Sequence, residues 1–175
     1  MYNHILIRYG ELSLKKSNRN QFIKQITNHI KSILKPYPNL EFDSRGMRFY
    51  VILNNEPLDE IIPLLKKVPG LYSFSPVAKC DSNLDDIKEL ALQVLRQEEL
   101  ANKTIKVDTN RANKNITLTS LEITKEISRH LFKNIENLKA NVHTPDITIN
   151  VDVRDEGTFI FTKIYYGLGG LPSGS

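Results

Sequence analysis

Hydrophobic positions in the first 80 residues switch between the spacing of a strand and that of a helix. Ile5 and Ile7 recur at every second position, as in a strand that ends at the turn residue Gly10. The next apolar residues recur every three or four positions, as on one face of a helix. They are Phe22, Ile23, Ile26, Ile30, Ile33 and Leu34. Pro36 ends this predicted helix.

Four further elements follow before residue 81. Residues 40–43 and 47–53 read as two strands of a hairpin, and residues 58–65 as a second amphipathic helix that contains Pro63. A strand at 71–80 comes after a Pro-Gly turn. The resulting order is βαββαβ, which is the ferredoxin-like arrangement.

A second unit begins after the polar stretch 81–83. Apolar residues from Leu84 to Leu95 have helical spacing, and a strand, a polar loop and another helix follow between residues 105 and 131. A link at 137–145 leads to two strands on either side of a turn at 155–157. The order α-β-α-β-β predicts a small sheet that helices cover on one face, so the chain as a whole is assigned to the α+β class.

The last nine residues form a glycine-rich tail. Four of the chain's eight glycines lie between Gly167 and Gly174. Such a run cannot bury a core, and it is typical of a linker that leaves a domain. We therefore expect three segments: an N-terminal domain at 1–80, a second domain at 81–166, and a linker at 167–175 that leads to a domain absent from this sequence.

The strand, loop and helix between Ile105 and Glu122 predict an anion-binding corner. Ile105 and Val107 alternate with polar residues, and the loop at 109–115 carries Arg111 and Lys114. Ser120 is predicted as the N-cap of the helix that follows. Because a helix start offers free N–H groups and a positive dipole end, phosphate is the expected anion. The alternative is a solvated loop whose charges bind nothing.

Composition places the chain among ordinary globular proteins of one large or two small domains. No apolar run approaches the roughly 20 residues of a membrane span. The single cysteine, Cys80, excludes an internal disulfide and fits a reducing compartment, so we expect a cytoplasmic protein without a membrane partner. The net charge of +4 is uneven, because residues 1–55 carry nine basic and three acidic side chains. That imbalance favours a polyanionic partner.

Catalytic chemistry is not indicated by the sequence. There is no Gly-x-Ser-x-Gly motif, and the four histidines lack the spacing of metal ligands. Cys80 has no flanking signature of a nucleophile, and the glycine-rich tail lacks the Gly-Lys-Ser/Thr ending of a phosphate loop. We expect no catalytic residue, metal or cofactor in this chain.

Basic residues that could contact RNA phosphates fall into three clusters. The first lies around the start of the first helix, whose N-cap is Ser17 or Asn18, and comprises Arg8, Lys15, Lys16 and Arg19, with the uncharged Asn18 as a further candidate for contact with RNA. The second is at the hairpin and comprises Arg45 and Arg48. The third is at the corner and comprises Lys103, Lys106, Arg111, Lys114 and the helix start at Ser120. Phosphate contacts position an RNA, and no aromatic pattern for sequence readout by stacking is visible.

Three motifs resemble the tRNA uracil 4-sulfurtransferases, or tRNA 4-thiouridine synthetases. The first is Arg8-Tyr9-Gly10-Glu11-Leu12-x-Leu14-Lys15 with Asn18-Arg19-x-x-Phe22. The second is similar to their THUMP domain and comprises Lys106-Val107-x3-Arg111-x2-Lys114, Ser120-x-Glu122-Ile123, Pro145-Asp146 and Val151-Asp152-Val153-Arg154. The third, Gly167-Leu168-Gly169-Gly170-Leu171-Pro172-x-Gly174-Ser175, resembles the hallmark before their PP-loop domain.

The resemblance implies a ferredoxin-like domain followed by a small α/β THUMP domain that bind the acceptor stem and 3′ CCA end of tRNA. In that family a PP-loop domain uses ATP, with Mg²⁺, to activate uridine 8, and a sulfur carrier such as a cysteine desulfurase supplies the sulfur. The resemblance also implies a homodimer and a link to thiamine biosynthesis. This chain would be the tRNA-binding part, silent in catalysis by itself.

The sequence departs from the family pattern at Lys16, Ile105, Ser128 and Asn141. Three alternatives remain open at this point: a THUMP module of an RNA methyltransferase or another THUMP enzyme, an interaction module without an RNA role, and an enzyme complete in itself. The glycine-rich tail argues against the first of these.

Overall fold

A computed structural model describes residues 1–10, 18–45, 48–113 and 115–168. The strands are β1 (His4–Tyr9), β2 (Glu41–Arg45), β3 (Arg48–Ile52), β4 (Leu71–Cys80), β5 (Thr104–Arg111), β6 (Lys139–Ala140), β7 (Ile147–Arg154), β8 (Gly157–Phe161) and β9 (Tyr165–Tyr166). The helices are α1 (Arg19–Ile33), α2 (Leu58–Leu65), α3 (Leu84–Arg96) and α4 (Ser120–Asn134). This mixture confirms the predicted α+β class.

Contacts divide the chain into two compact units. The first unit comprises Tyr2–Pro76 together with the segment from Lys163 onward, and the second comprises Val77–Thr162. We predicted boundaries after residues 80 and 166. In the structure, the end of β4 contributes to the second unit, while residues 163–168 contribute to the first. The predicted linker lies outside the described residues beyond Leu168.

The first unit has the predicted βαββαβ order, and its strands lie side by side as β2-β3-β1-β4. β3 pairs antiparallel with β1 and β2, and Ile5 lies opposite Val51. Ile26 and Ile30 of α1 are buried against this sheet, as their spacing predicted. Burying each such side chain contributes about 1.5–3 kcal/mol, so the apolar face of the helix determines how α1 packs.

The second unit contains strands β8, β7, β5 and β6, beside residues 77–80 of β4. β5 pairs in parallel with β7, and α4 is the crossover between them. β7 and β8 form an antiparallel hairpin that turns at residues 155–156, where we predicted a turn. Helices α3 and α4 pack against each other and against these strands.

β5, the strand of the predicted anion-binding corner, is longer than predicted. We expected a polar loop from Thr109, but β5 continues to Arg111, which lies opposite Val153 of β7. The residues Asp108 to Asn110 are polar and mostly exposed, so local hydrophobic spacing does not mark them as strand. Pairing with the apolar strand β7 decides their conformation, which is the usual way tertiary context overrides local preference.

We expected one strand after the turn at 155–157, but the structure has two short strands there. β8 ends at Phe161, and Tyr165–Tyr166 forms the separate strand β9, which pairs with Ser73 and Phe74 of β4. Gly167 then donates its N–H to the Tyr72 carbonyl at 3.0 Å. A Cβ at Gly167 would lie 2.5 Å from the Leu71 carbonyl oxygen, so the first glycine of the tail allows close approach to β4.

Candidate nucleic-acid interface

The helix start at the predicted anion corner is capped by its own residues. Thr119, and not the predicted Ser120, is the N-cap of α4: its hydroxyl accepts a hydrogen bond from the Glu122 N–H at 3.1 Å. The Glu122 carboxylate in turn accepts from the Thr119 N–H at 3.1 Å. Ser120 is the first residue of the helix. This capping box satisfies two of the free donors and places a negative charge beside them.

The carboxyl group of Glu122 is stabilised in its ionised form. Its pKa is lowered, chiefly because the Thr119 backbone N–H donates to it and secondly because of the Thr119 side chain. An anion that approaches the helix start therefore meets a carboxylate as well as N–H groups. Cations of the loop have to supply most of the attraction for phosphate at this corner.

Arg111 anchors the loop as well as carrying its charge. The side chain is half-buried, and Nη1 donates to the Ile116 carbonyl at 2.9 Å and to the Asn113 carbonyl at 3.5 Å. Both contacts use one of the three guanidinium nitrogens. We predicted Arg111 as a loop residue that grips phosphate; the structure places it at the end of β5, where it also fixes the loop backbone.

Asn113 is an organising residue of the loop that the sequence analysis did not single out. It is only 6% exposed. Its Nδ2 donates to the Arg154 carbonyl at 3.2 Å, and its Oδ1 accepts from the Asn115 N–H at 2.7 Å. The N–H groups of Ala112 and Asn113 both donate to the Val153 carbonyl, at 2.7 and 2.9 Å. The Asn113-x-Asn115 spacing, typical of an Asx turn, was the available signal.

The other predicted residues of this cluster are Lys103, Lys106 and Lys114. Lys103 is exposed just before β5, and Lys106 is half-buried on that strand. Lys114 lies outside the described residues. Lys103 also helps to hold down the pKa of Asp146, although the larger cause is the hydrogen bond from the Thr104 N–H to that carboxylate.

The predicted cluster at the start of α1 is only partly covered by the structure. Lys15 and Lys16 lie outside the described residues. Asn18 occupies the N-cap position, as one of the two predicted candidates, but its side chain makes no capping hydrogen bond. Arg19 is exposed on the first turn, and Arg8 on β1 donates to the Ser75 hydroxyl at 3.0 Å. Arg19 therefore faces solvent, whereas Arg8 contributes to packing of the sheet.

The two arginines of the hairpin have different surroundings. Arg45 has 54% of its side chain exposed and forms an ion pair with Asp43 at 2.9 Å. Arg48 is half-buried, donates from Nε to the Tyr50 hydroxyl at 2.6 Å, and lies 5.4 Å from the centre of that ring. Arg48 is thus held on the sheet surface by a hydrogen bond and a cation–π contact.

Features that would indicate other functions are lacking within the described ranges. No group of three or more His, Cys, Asp or Glu side chains there could hold a metal ion. Burial, with smaller contributions from Asp86 and Asp81, raises the pKa of the Cys80 thiol to about 12. A thiol with this pKa is a poor nucleophile at neutral pH. None of the described helices has the length and apolar character to cross a bilayer.

Family models match both parts of the chain. Residues 4–75 match the ThiI ferredoxin-like domain, and residues 81–163 match the THUMP domain. The chain is 42% identical over 174 residues to a "Probable tRNA sulfurtransferase" from Bacillus subtilis and 39% identical to one from Geobacillus kaustophilus. These alignments cover 99% of this chain but 43% of each relative, so the chain spans less than half their length.

Two solved structures are similar over almost the whole chain. PH1313 from Pyrococcus horikoshii has a TM-score of 0.81 and 30% identity, covering 98% of this chain and 57% of that one. A 4-thiouridine synthetase in complex with RNA and ATP has a TM-score of 0.83 and 26% identity, covering 99% and 44%. TrmN from Thermus thermophilus, at 16% identity and a TM-score of 0.53, shares the fold alone.

Proposed function

The chain belongs to the family of proteins that join a ThiI ferredoxin-like domain to a THUMP domain, and we propose that it is the tRNA-binding portion of an enzyme that converts uridine 8 of tRNA to 4-thiouridine. In this role it holds the acceptor stem and the 3′ CCA end for an ATP-dependent PP-loop domain of the parent protein. The observation that carries the proposal is the similarity over 99% of the chain to a 4-thiouridine synthetase solved with RNA.

The corner between β5 and α4 is the phosphate-binding point in this proposal. Arg111 and Asn113 fix the loop through hydrogen bonds to its own carbonyls and to β7. A loop held in this way can present cations to a phosphate without first losing conformational freedom. Lys106, Lys114 and the remaining N–H groups of Arg111 supply the charge. Arg19 and Arg45, both exposed, extend the basic surface of the first unit.

The first test is the salt dependence of tRNA binding. Changing Arg111→Ala together with Lys114→Ala should weaken binding by roughly 1–3 kcal/mol. It should also reduce the slope of log affinity against log salt by about two units, since each lost phosphate contact contributes about one. Filter binding of unfractionated tRNA between about 50 and 200 mM salt measures both quantities.

Two variants provide controls for this test. Arg129→Ala removes an equally charged side chain of α4 that is exposed and paired with Glu126, and it should leave affinity and slope nearly unchanged. Arg111→Ala removes both a charge and a contact that holds the loop backbone. Lys114→Ala alone therefore measures the effect of lost charge on tRNA affinity while the contacts of Arg111 are retained. If the double variant behaved like Arg129→Ala, the corner would not be a phosphate site.

A module of an RNA methyltransferase is the less supported alternative. The methyltransferase-like structures similar to this chain are at most 16% identical and have TM-scores of 0.52–0.55, which supports a shared fold only. Purified tRNA lacking 4-thiouridine distinguishes the alternatives when it is supplied to the full-length parent protein. Sulfur incorporation that depends on ATP supports our proposal, whereas methyl transfer from S-adenosylmethionine would support the alternative.

The proposal extends to the partners of the parent protein. A cysteine desulfurase would deliver sulfur to the PP-loop domain, which would bind ATP with Mg²⁺, and two copies of the protein would form a homodimer in the cytoplasm. The family resemblance supports these partners. Sedimentation of the full-length protein with and without tRNA tests the dimer, and sulfur transfer from the purified desulfurase tests the carrier.

A further inference from the structure

The first unit contains a small cleft that no predicted basic cluster includes. Its volume is about 110 Å³, and its walls are formed by Tyr2, Leu58, Ile62, Pro76, Lys163 and Tyr165. Leu58 and Ile62 belong to α2, and Tyr165 belongs to β9. Pockets for drug-sized ligands measure about 300–1,000 Å³, so this cleft has room for a single ring system and not for a whole nucleotide.

One wall of the cleft is a tyrosine held firmly in place. Tyr165 stacks on the fully buried Phe74, with ring centres 5.5 Å apart and an angle of 22° between the planes. The β9–β4 pairing fixes its backbone. A rigid aromatic wall above an apolar floor of Leu58, Ile62 and Pro76 is suited to a flat aromatic group.

Two lysines lie at or near the cleft. Lys163 lines the cleft and is exposed, and the ammonium of Lys66 lies 5.1 Å from the centre of the Tyr165 ring. Apolar walls for a ring, with Lys163 in the lining and Lys66 beside the tyrosine ring, match a nucleobase attached to a phosphate. An uncharged apolar peptide would gain nothing from these lysines, so the charge favours an anionic ligand, and the apolar walls favour one with a flat ring, as a nucleotide has.

We propose that this cleft binds one unpaired nucleobase of an RNA single-stranded end, with Lys163 and Lys66 contacting its phosphate. The inference rests on the proposed tRNA-binding function and adds a base-binding position to it. Tyr165 forms the wall against which the base edge lies, and the apolar floor excludes water from its faces. The face of the base lies on the apolar floor, and this contact tolerates any sequence because every base offers an aromatic face.

The test compares two RNA hairpins that differ only at their end. One is blunt, and the other carries a 3′ overhang of two nucleotides that ends in 2-aminopurine, whose fluorescence reports stacking. The wild-type chain should bind the overhang hairpin at least about fivefold more tightly, which corresponds to burial of one base. The 2-aminopurine fluorescence should change on binding.

Two variants should abolish this preference while the blunt hairpin is bound as before. Leu58→Phe fills the cleft, and Lys163→Gln removes a cation at its mouth. Lys67→Gln is the matched control, since Lys67 is exposed in the same unit but does not line the cleft. Thermal unfolding of each variant verifies that the first unit remains folded, and Lys163→Gln keeps the test valid if Leu58→Phe destabilises it.

The outcomes separate this inference from the proposed function. If wild type binds neither hairpin, the RNA function itself is wrong. If it binds both equally, or if Leu58→Phe and Lys163→Gln keep the overhang preference, the cleft does not bind a base. If adenosine 5′-monophosphate displaces the 2-aminopurine end while the hairpin stays bound at equal affinity, the cleft is a free-nucleotide site and the inference is overturned.

Discussion

The basic residues of the corner and of the β2–β3 hairpin look alike in sequence but are held in different ways. At the corner, the half-buried Arg111 binds two loop carbonyls, and Asn113 ties the same loop to β7. In the hairpin, Arg45 is an exposed ion-pair member, while Arg48 lies on the ring of Tyr50. The formal charge of a side chain therefore does not show whether it stabilises the fold or is exposed to solvent.

This difference leads to different expectations for RNA binding. A corner whose loop is fixed before binding determines where the RNA phosphate lies, because its cations cannot move to follow a displaced phosphate. An exposed arginine such as Arg45 contributes attraction over a distance of about 10 Å at 0.1 M salt and adapts to the backbone it meets. The comparison fails if loosening the corner leaves binding unchanged, or if Arg45 proves essential to folding.

The largest effect is expected from Asn113→Ala. The change removes the hydrogen bonds to the Arg154 carbonyl and from the Asn115 N–H at a side chain that is 6% exposed. Leaving such buried partners unsatisfied costs about 1–3 kcal/mol of stability. Urea unfolding should show this loss, and hydrogen exchange should increase in the loop and the end of β7. Affinity for tRNA should fall although no charge has been removed.

Asn110→Ala is the matched control for Asn113→Ala. Asn110 is exposed three residues earlier on β5, and its amide makes only a 3.5 Å contact with Asp152. This change should cost less than about 1 kcal/mol and leave tRNA binding unaltered. Equal effects of the two changes would mean that the loop is not organised by Asn113.

Residues 105–122 also show how far the sequence predicts the site. The existence of the strand, the loop and the helix follows from hydrophobic spacing, because Ile105, Ile123 and Ile127 have to be buried. The length of β5 does not follow, since its polar end is strand only through pairing with β7. The second role of Arg111 was equally hidden, because its acceptors are backbone carbonyls whose positions depend on the folded loop.

The predicted N-cap of α4 is a smaller error with a different origin. Both Thr119 and Ser120 are good N-cap residues, and Glu122 lies at the capping-box position only if the cap is Thr119. That spacing was available in the sequence and identifies the correct residue. By contrast, the return of Tyr165–Tyr166 to the first unit could not be predicted locally, because the β9 partner lies some 90 residues earlier in the chain.

An intermediate effect is expected from Thr119→Ala. The change removes the hydroxyl that caps α4, and loss of such a cap costs about 0.5–2 kcal/mol. Urea unfolding measures the loss. Binding of tRNA should change less than in Asn113→Ala, because the loop contacts of Arg111 and Asn113 are retained. A larger loss of binding than of stability would indicate that the helix start contacts the RNA directly.

The pH dependence of stability provides a second measurement at the same cap. Because the pKa of Glu122 is lower in the folded chain than in the unfolded chain, its stabilising contribution is complete above the unfolded pKa and is lost as pH falls through the folded pKa. Asp146 acts in the same direction. Glu122→Gln should therefore reduce the loss of stability below about pH 4.5. If the corner binds phosphate, this change should also strengthen tRNA binding slightly.

The smallest effect on stability is expected from Arg45→Gln, and it distinguishes the hairpin from the corner. An exposed ion pair contributes at most about 1 kcal/mol, so unfolding should hardly change. The salt slope of tRNA binding should nevertheless fall by about one unit if Arg45 contacts a phosphate.

Arg48→Gln is the comparison within the hairpin, because it removes the hydrogen bond and the cation–π contact with Tyr50. It should cost about 1–2 kcal/mol of stability. The reverse pattern, with Arg45 needed for folding and Arg48 for the salt slope alone, would show that exposure does not separate the two roles.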